Sequence, residues 1–414
     1  MGTYFNPSNK GFRKASRDEI YIDKTGLLNI LNRRLGAEKN CVSVSHARRF
    51  GKSQAARMID AYYSRGCDSK ELFMGLKISE SEDFEKHLNK YNVIHLDISS
   101  FVDEYTDNIV NEIKRNIFNE FKEKYPDIDY VNTTAFILKQ VYDKSEHEFV
   151  IIIDEWDCIV REFSQNQKIV HEYLQFLHSL FKSEESQEFL ALGYITGILP
   201  IKKIEDESAL NNFLEYTMID SEELTEYFGF TEKEVEILCE KYDMNTDSVK
   251  EWYNGYLIDG QHMYNPNSVY NAMMRKKLDS YWRNTSAFGT INKFITMNFE
   301  GLKKDVMTML EGGKVSVITD KFQNDLSVIN SRDDALTALI HLGYLGYDNK
   351  RRKAFIPNFE VATAFHLALE TGKWSDIADT LTRCDEILWA TIDGESDKVA
   401  ELLELSHETY TSIL

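Results

Sequence analysis

The clearest chemistry in this 414-residue chain lies in eight residues near its start, His46-Ala47-Arg48-Arg49-Phe50-Gly51-Lys52-Ser53. Glycine, lysine and a hydroxyl in that order suit a phosphate. The glycine lets backbone N–H groups approach an anion in conformations other residues avoid. The lysine sets a positive charge on β- and γ-phosphates, and the Ser53 hydroxyl is a hard oxygen ligand for Mg²⁺. N–H groups in the first turn of a following helix complete the anion site. The segment follows the Walker A pattern, Gly-x-x-x-x-Gly-Lys-Ser/Thr, except that His46 stands at the first glycine. The loop is therefore expected to start with ordinary dihedrals. Arg48 and Arg49 either reach nucleotide phosphates or an acidic neighbour, or are surface charge.

A second constellation lies about 100 residues on. Phe149-Val150-Ile151-Ile152-Ile153 is an apolar run that ends in Asp154-Glu155. Asp154 is placed to hold Mg²⁺ and Glu155 to polarise an attacking water as general base. A glutamate directly after that aspartate marks the branch of P-loop proteins with an extra strand between the two motif strands. That strand carries a polar sensor, and Thr196 in Tyr-Ile-Thr-Gly is the candidate, against the alternative of a simple strand-end threonine. No arginine finger can be picked out; Arg161, Lys202 and Lys203 follow the active strands but read as solvated charge.

These residues need a scaffold of a particular kind. Short apolar runs at 41–46, 92–99, 149–155, 189–199 and 214–220 read as buried parallel strands. Helical patterns at 53–65, 103–124, 133–144 and 168–183 separate them. Such alternation predicts an α/β fold with a parallel sheet covered on both faces. Residues 1–220 are expected to form this P-loop domain. Residues 221–300 read as a helical, lid-like region. Residues 301–361 read as a winged-helix-like subdomain, because an amphipathic helix at 332–343 precedes two strands around a polar turn. Residues 362–414 read as a helical segment that reaches Leu414 without a helix-end signal.

Composition narrows the setting. Net charge is −20, yet residues 1–66 hold 13 Lys/Arg against 5 Asp/Glu, so the basic segment is expected to face an anion. Five scattered cysteines without CxxC spacing suggest neither a zinc site nor a disulfide framework, and fit a reducing, cytoplasmic setting. No apolar run approaches membrane-spanning length, so no membrane partner is expected. At the predicted hairpin tip, Lys350-Arg351-Arg352-Lys353 either neutralises DNA phosphates or is a solvated turn.

Further stretches carry a resemblance: TyrIleAspLysThrGly (21–26), IleAspGluTrpAsp (153–157), Trp252-Tyr253-Asn254-Gly255-Tyr256, Tyr264-Asn265-Pro266, Tyr281-Trp282-Arg283-Asn284-Thr285-Ser286 and Ile356-Pro357-Asn358-Phe359-Glu360-Val361. With Arg48–Ser53 and Thr196-Gly197 they cover roughly residues 20–361. In that order they resemble the bacterial AAA-ATPase-like family, whose members are commonly fused to a PD-(D/E)XK nuclease-like domain. The resemblance implies an ATPase core followed by a helical region. No Pro-Asp…(Asp/Glu)-x-Lys constellation is visible near the C-terminus, so no nuclease activity is assigned. The aromatic motifs read as packing residues that fix the helical region to the core. Tyr21, Asp23 and Lys24 either border a base pocket or form a structural link.

The expected ligands are ATP and Mg²⁺; the absence of an Asn-Lys-x-Asp motif leans toward adenine over guanine. The main reading is an ATP-hydrolysing conformational switch. The alternative is a nucleotide-gated DNA-binding or assembly module with little or no hydrolysis, and a homo-oligomer is compatible with either. A degenerate scaffold is disfavoured by the intact set of Lys52, Ser53, Asp154 and Glu155.

Overall fold

The structure is a computed structural model that describes residues 2–104, 108–201, 210–281, 299–326, 328–371 and 386–411, with Ile291, Phe294 and Met297. Its centre is a sheet of five strands, β1 Cys41–Ser45, β2 Asn92–Asp97, β3 Phe149–Asp154, β4 Leu190–Gly197 and β5 Phe213–Thr217. Their order is β2-β3-β4-β1-β5, and every pairing is parallel. β4 thus lies between the strand before the glycine-lysine-serine loop and the strand ending in Asp154. This is the P-loop sheet of the AAA type.

Strand residues alternate between two cores, as a pleat buried on both faces requires. Val42, Val44, Val93, Val150, Ile152 and Leu192 pack with α1 (Lys10–Ala15), α2 (Leu27–Asn32) and α3 (Lys52–Tyr63). Cys41, Ile94, Leu96, Ile151, Ile153 and Ile195 face the other way, toward the Ile109–Lys124, Thr134–Ser145 and Gln167–Phe181 helices. Both motif strands are buried throughout, so the ends of β1, β3 and β4 are fixed by packing before any ligand arrives.

Residues 221–300 depart from the helical expectation. Three short strands, β6 Phe230–Thr231, β7 Tyr256–Ile258 and β8 Gln261–Tyr264, form an antiparallel sheet in the order β6-β8-β7. Asp259 and Gly260 turn the β7–β8 hairpin with φ of +49° and +81°, the left-handed pair a two-residue hairpin needs. Three helices flank it. Glu232–Tyr242 begins in a capping box of Thr231 and Glu234. Thr246–Tyr253 is capped by Asn245. Pro266–Arg275 starts with Asn265 as N-cap and proline in the first turn, which accounts for the Tyr-Asn-Pro motif.

The C-terminal unit has its own core around Leu336, Leu339, Tyr347 and Phe365. The Leu302–Leu310 helix precedes β9 Val315–Ser316. The Arg332–His341 helix precedes a hairpin of β10 Gly346–Asp348 and β11 Lys353–Phe355, and β9 adds to β11. The Phe359–Thr371 helix follows, and helical turns resume at 386–392 and Ser396–Thr411.

Candidate phosphate-binding site

α3 begins at Lys52, directly after the loop. Gly51 has φ +92°, and a Cβ there would meet nothing within 4 Å, so the backbone faces open space at the helix start. That is a conformation and an opening suited to an anion. Lys52 is 4 % exposed and its Nζ donates to the carbonyls of His46 (2.8 Å) and Ala47 (3.0 Å). Burial pulls its ammonium below the ordinary lysine range, and Glu155, Asp154 and Asp157 counteract. Its charge is thus held by loop carbonyls and nearby carboxylates.

Asp154 ends β3, almost fully buried, and Thr196 on β4 donates its hydroxyl to Asp154 Oδ1. Glu155, half-buried, takes φ +53°, rare for a residue with a side chain. Burial pushes its carboxyl up and Lys52 draws it down. A cleft of about 710 Å³ gathers Arg48, Arg49, Gly51, Lys52, Ser53, Asp154, Glu155 and Arg161. Its other walls are Ile20, Tyr21, Ile22, Lys24, Tyr227, Phe230, Pro266 and Tyr270, a largely apolar pocket beside the polar one. Serine hydroxyl and carboxylate oxygen are the donors Mg²⁺ prefers, so Ser53 and Asp154 fit it chemically.

The structure separates the expected residues into those that meet the cleft and those that hold it. Thr196 is wholly buried and reaches the cleft only through Asp154. His46 and Ala47 turn their side chains inward, so only their backbone faces the loop. The imidazole Nε2 of His46 lies 2.8 Å from Ser221 Oγ, and the ring packs on Phe228 at 5.2 Å. Its φ lies outside the left-handed range, so no glycine is needed there. Phe50 is buried against Met218, Tyr256, Ile258 and Met263. Tyr21 and Lys24 line the cleft, and Lys24 also pairs with Glu234 at 2.7 Å. Asp23 is structural, accepting from Thr25 N and Lys77 N.

Arg161 corrects the expectation of a solvated charge. Its side chain is 11 % exposed, and it pairs with Asp157 at 2.9 Å and Glu155 at 3.4 Å. Sequence reasoning also gave Asp157 no role, its signal being the second aspartate of Ile-Asp-Glu-Trp-Asp. Lys202, Lys203 and 282–286 lie outside the described residues. The basic tip is in place at the β10–β11 turn: Lys350, Arg351 and Arg352 are exposed, while Lys353 is half-buried in β11. Arg351 faces Asp348 at 3.6 Å and Arg352 faces Asp320 at 4.0 Å.

Residues 10–205 match a family model described as a predicted AAA-ATPase. Over these residues, a little under half of the chain, it is similar to that AAA-ATPase-like family. The match likens this part to nucleotide-binding, ATPase-like proteins. A curated relative, an uncharacterised protein from the vnfD 5′ region of Azotobacter chroococcum mcd 1, is 23 % identical over 275 residues, which is 65 % of this chain. The chain spans about half, 51 %, of that relative's length. Among solved structures, the Aeropyrum pernix ORC2 protein in ADPNP–ADP complexes overlays with a TM-score of 0.37 and 13 % identity, over 88 % of this chain and 97 % of that one. The replication initiator DnaA bound to AMPPCP and single-stranded DNA overlays at 0.34 and 11 %, over 97 % and 98 %. Both overlays are loose, and the fold assignment stands on strand order and loop geometry. Among the described residues, no helix is long and apolar enough to cross a membrane.

Proposed function

We propose that this protein binds ATP with Mg²⁺ and hydrolyses it as a conformational switch. The observation that carries this is the convergence of Lys52, Ser53, Asp154 and Glu155 on one cleft at the ends of β1 and β3. Lys52 exchanges its two loop carbonyls for phosphate oxygens, which removes a buried donor from competing backbone acceptors. Backbone N–H groups from Gly51 onward cradle the phosphates. Ser53 and Asp154 would hold the Mg²⁺, which supplies charge neutralisation at the phosphates. Thr196 fixes the rotamer of Asp154 through its hydroxyl. Glu155 accepts the proton of the attacking water, and burial strengthens its carboxylate as a base by raising its affinity for that proton. The apolar wall around Ile20, Ile22 and Phe230 takes the base.

The switch has a physical route outward. Arg49 Nη1 donates to the Tyr281 carbonyl at 3.0 Å, and the Tyr281 N–H donates to Glu360 at 2.6 Å. Glu360, buried at the start of the Phe359–Thr371 helix, also accepts from Ser268 Oγ at 2.7 Å. Beside this, Phe50 stacks edge-on against Tyr256, whose hydroxyl donates to Gly343 at 3.0 Å. A phosphate that draws Arg49 away loosens the first link, and the C-terminal unit feels it. We read that unit as winged-helix-like from its helix-then-hairpin order and its third strand.

The test is Mg²⁺-dependent ATP turnover by wild type, Lys52→Ala and Glu155→Gln. Loss in both variants, with ATP binding retained by Glu155→Gln, is expected. Amide exchange over 278–281 and 359–371 should differ between the ATP-bound Glu155→Gln protein and the nucleotide-free one. Equal exchange would refute the switch, and turnover surviving Glu155→Gln would refute the assigned base. ATP bound tightly by a wild type that does not turn it over favours the second reading, a nucleotide-gated DNA-binding module, for which the exposed basic β10–β11 turn is the specific support.

A further inference from the structure

The turn after β3 is stitched to the end of β4 by more contacts than a strand connection needs. Asp157 is 1 % exposed, and its Oδ2 accepts from Leu199 N (3.1 Å), Ile198 N (3.3 Å) and Arg161 Nε (2.9 Å). Trp156 N donates to the Thr196 carbonyl at 2.8 Å. A Cβ on Gly197 would stand 2.7 Å from Trp156 Nε1 and 2.8 Å from Asp157 Oδ1, so the two segments touch only because residue 197 has none. Arg161 closes the device. One arm of its guanidinium holds Asp157, and another reaches Glu155 Oε2 at 3.4 Å.

Glu155 sits inside this frame with φ +53°. A side-chain-bearing residue in the left-handed region is strained and persists only where its surroundings over-determine it. Here the residues on both sides are pinned, and the side chain is tethered from a buried cation on its own chain. A planar fork can hold two carboxylates at fixed separation; a lysine ammonium holds them as a point charge without that geometry.

We propose that Asp157 and Arg161 are positioning residues that aim Glu155 at its attacking water, with Arg161 bridging the sensor-strand end to the general base. This rests on the hydrolysis reading above. Asp157 sets Arg161, and Arg161 sets Glu155. The chain thereby orients its own base with an internal arginine.

The experiment compares Arg161→Gln and Arg161→Lys, each alone and combined with Glu155→Gln, by single-turnover rate, ATP dissociation constant and thermal melting. Arg161→Gln should cut the rate roughly 10- to 100-fold, since small misplacements of a catalytic group cost about that much, while ATP affinity stays within about threefold. Arg161→Lys should recover part of the loss. On the Glu155→Gln background, Arg161→Gln should lower the residual rate by less than about twofold, because a residue that acts through Glu155 has nothing left to position. A rate within about threefold of wild type for Arg161→Gln overturns the inference. So does a loss of rate matched by an equal loss of ATP affinity and melting temperature, which is the signature of a purely structural brace. ATP bound without turnover by the wild type removes the hydrolysis reading, and this inference with it.

Discussion

Replacing His46 by glycine restores the first glycine of the Walker A pattern, and a motif-based expectation is that the site improves. The structure predicts damage. His46 is wholly buried, its ring packs on Phe228 at 5.2 Å and Phe50 at 6.4 Å, and its Nε2 meets Ser221 Oγ at 2.8 Å. Removing a side chain of this size leaves a cavity, for which large-to-small substitutions suggest about 2–4 kcal/mol. Ser221, also wholly buried, loses its partner, a cost of roughly 1–3 kcal/mol. A glycine where the backbone does not need one adds about 0.5–1 kcal/mol. One relief opposes these: among the described residues Nδ1 of His46 has no hydrogen-bond partner, and deleting it recovers roughly 1–3 kcal/mol. The Ser221 and Nδ1 terms cancel, and the net is a destabilisation of about 2.5–5 kcal/mol, or on the order of 5–20 °C in melting temperature for a unit of this size. Thermal melting by circular dichroism reads it, with ATP affinity measured on the folded fraction. The reasoning fails if His46→Gly melts at or above the wild-type temperature. His46 would then not be the filler beneath the loop.

Other predictions follow from the same geometry. Burial, then the charges of Lys52 and His341, push the His46 imidazole down to about 3, well below the roughly 6.5 of an unfolded chain. The unfolded chain therefore takes up a proton that the folded one refuses. The stability His46 contributes is complete above about pH 6.5 and falls by roughly 1.4 kcal/mol per unit as the pH drops toward 3. Urea unfolding at pH 6.5 and 4.5 should show wild type losing about 2–3 kcal/mol more than His46→Asn across that interval; parallel losses would refute it. If the β10–β11 turn touches DNA, replacing Lys350, Arg351, Arg352 and Lys353 with glutamine should weaken binding and flatten its salt slope by roughly two, since Asp348 and Asp320 already offset two of the four charges. Unchanged binding in a salt titration would sink the contact.

The five sheet strands are readable from the chain because each is a short apolar run, and the two that carry chemistry end in residues no core tolerates unpaired. Local pattern sufficed there. It failed where local and tertiary causes diverge. Residues 256–264 read as part of a helical stretch, yet Asp259-Gly260 between Tyr-Leu-Ile and Gln-His-Met-Tyr is a strong hairpin signal that the surrounding helical periodicity masked. Arg161 looked solvated because an arginine in a charged, five-residue helix usually is. What buries it is Asp157 and Glu155, and their meeting depends on a contact with β4 some 40 residues later in sequence. No periodicity encodes that.

His46, Ala47, Arg48 and Phe50 together explain how this loop holds its shape without its first glycine. In a loop supported only by its own backbone, glycines let the chain wrap the phosphate closely. Here the loop is gripped from outside. Phe50 O accepts from Gly229 N at 3.0 Å, Asn265 Nδ2 reaches Arg48 O at 3.5 Å, and Phe50 and Ala47 are buried with Tyr256, Ile258 and Met263 of the small sheet. The same small sheet meets the C-terminal unit, where Asn358 Nδ2 donates to Asn254 O at 2.8 Å while its Oδ1 caps the Phe359–Thr371 helix through Val361 N. The aromatic and asparagine motifs are therefore one continuous joint that begins at the phosphate loop and ends at that helix. Such a joint fixes the loop's shape by side-chain packing, which is why a histidine is tolerated where a glycine would be expected. On the switch reading proposed above, the loop would not rearrange around a phosphate without disturbing the joint, so the feature that replaces the glycine would also carry the ligand's effect across the molecule.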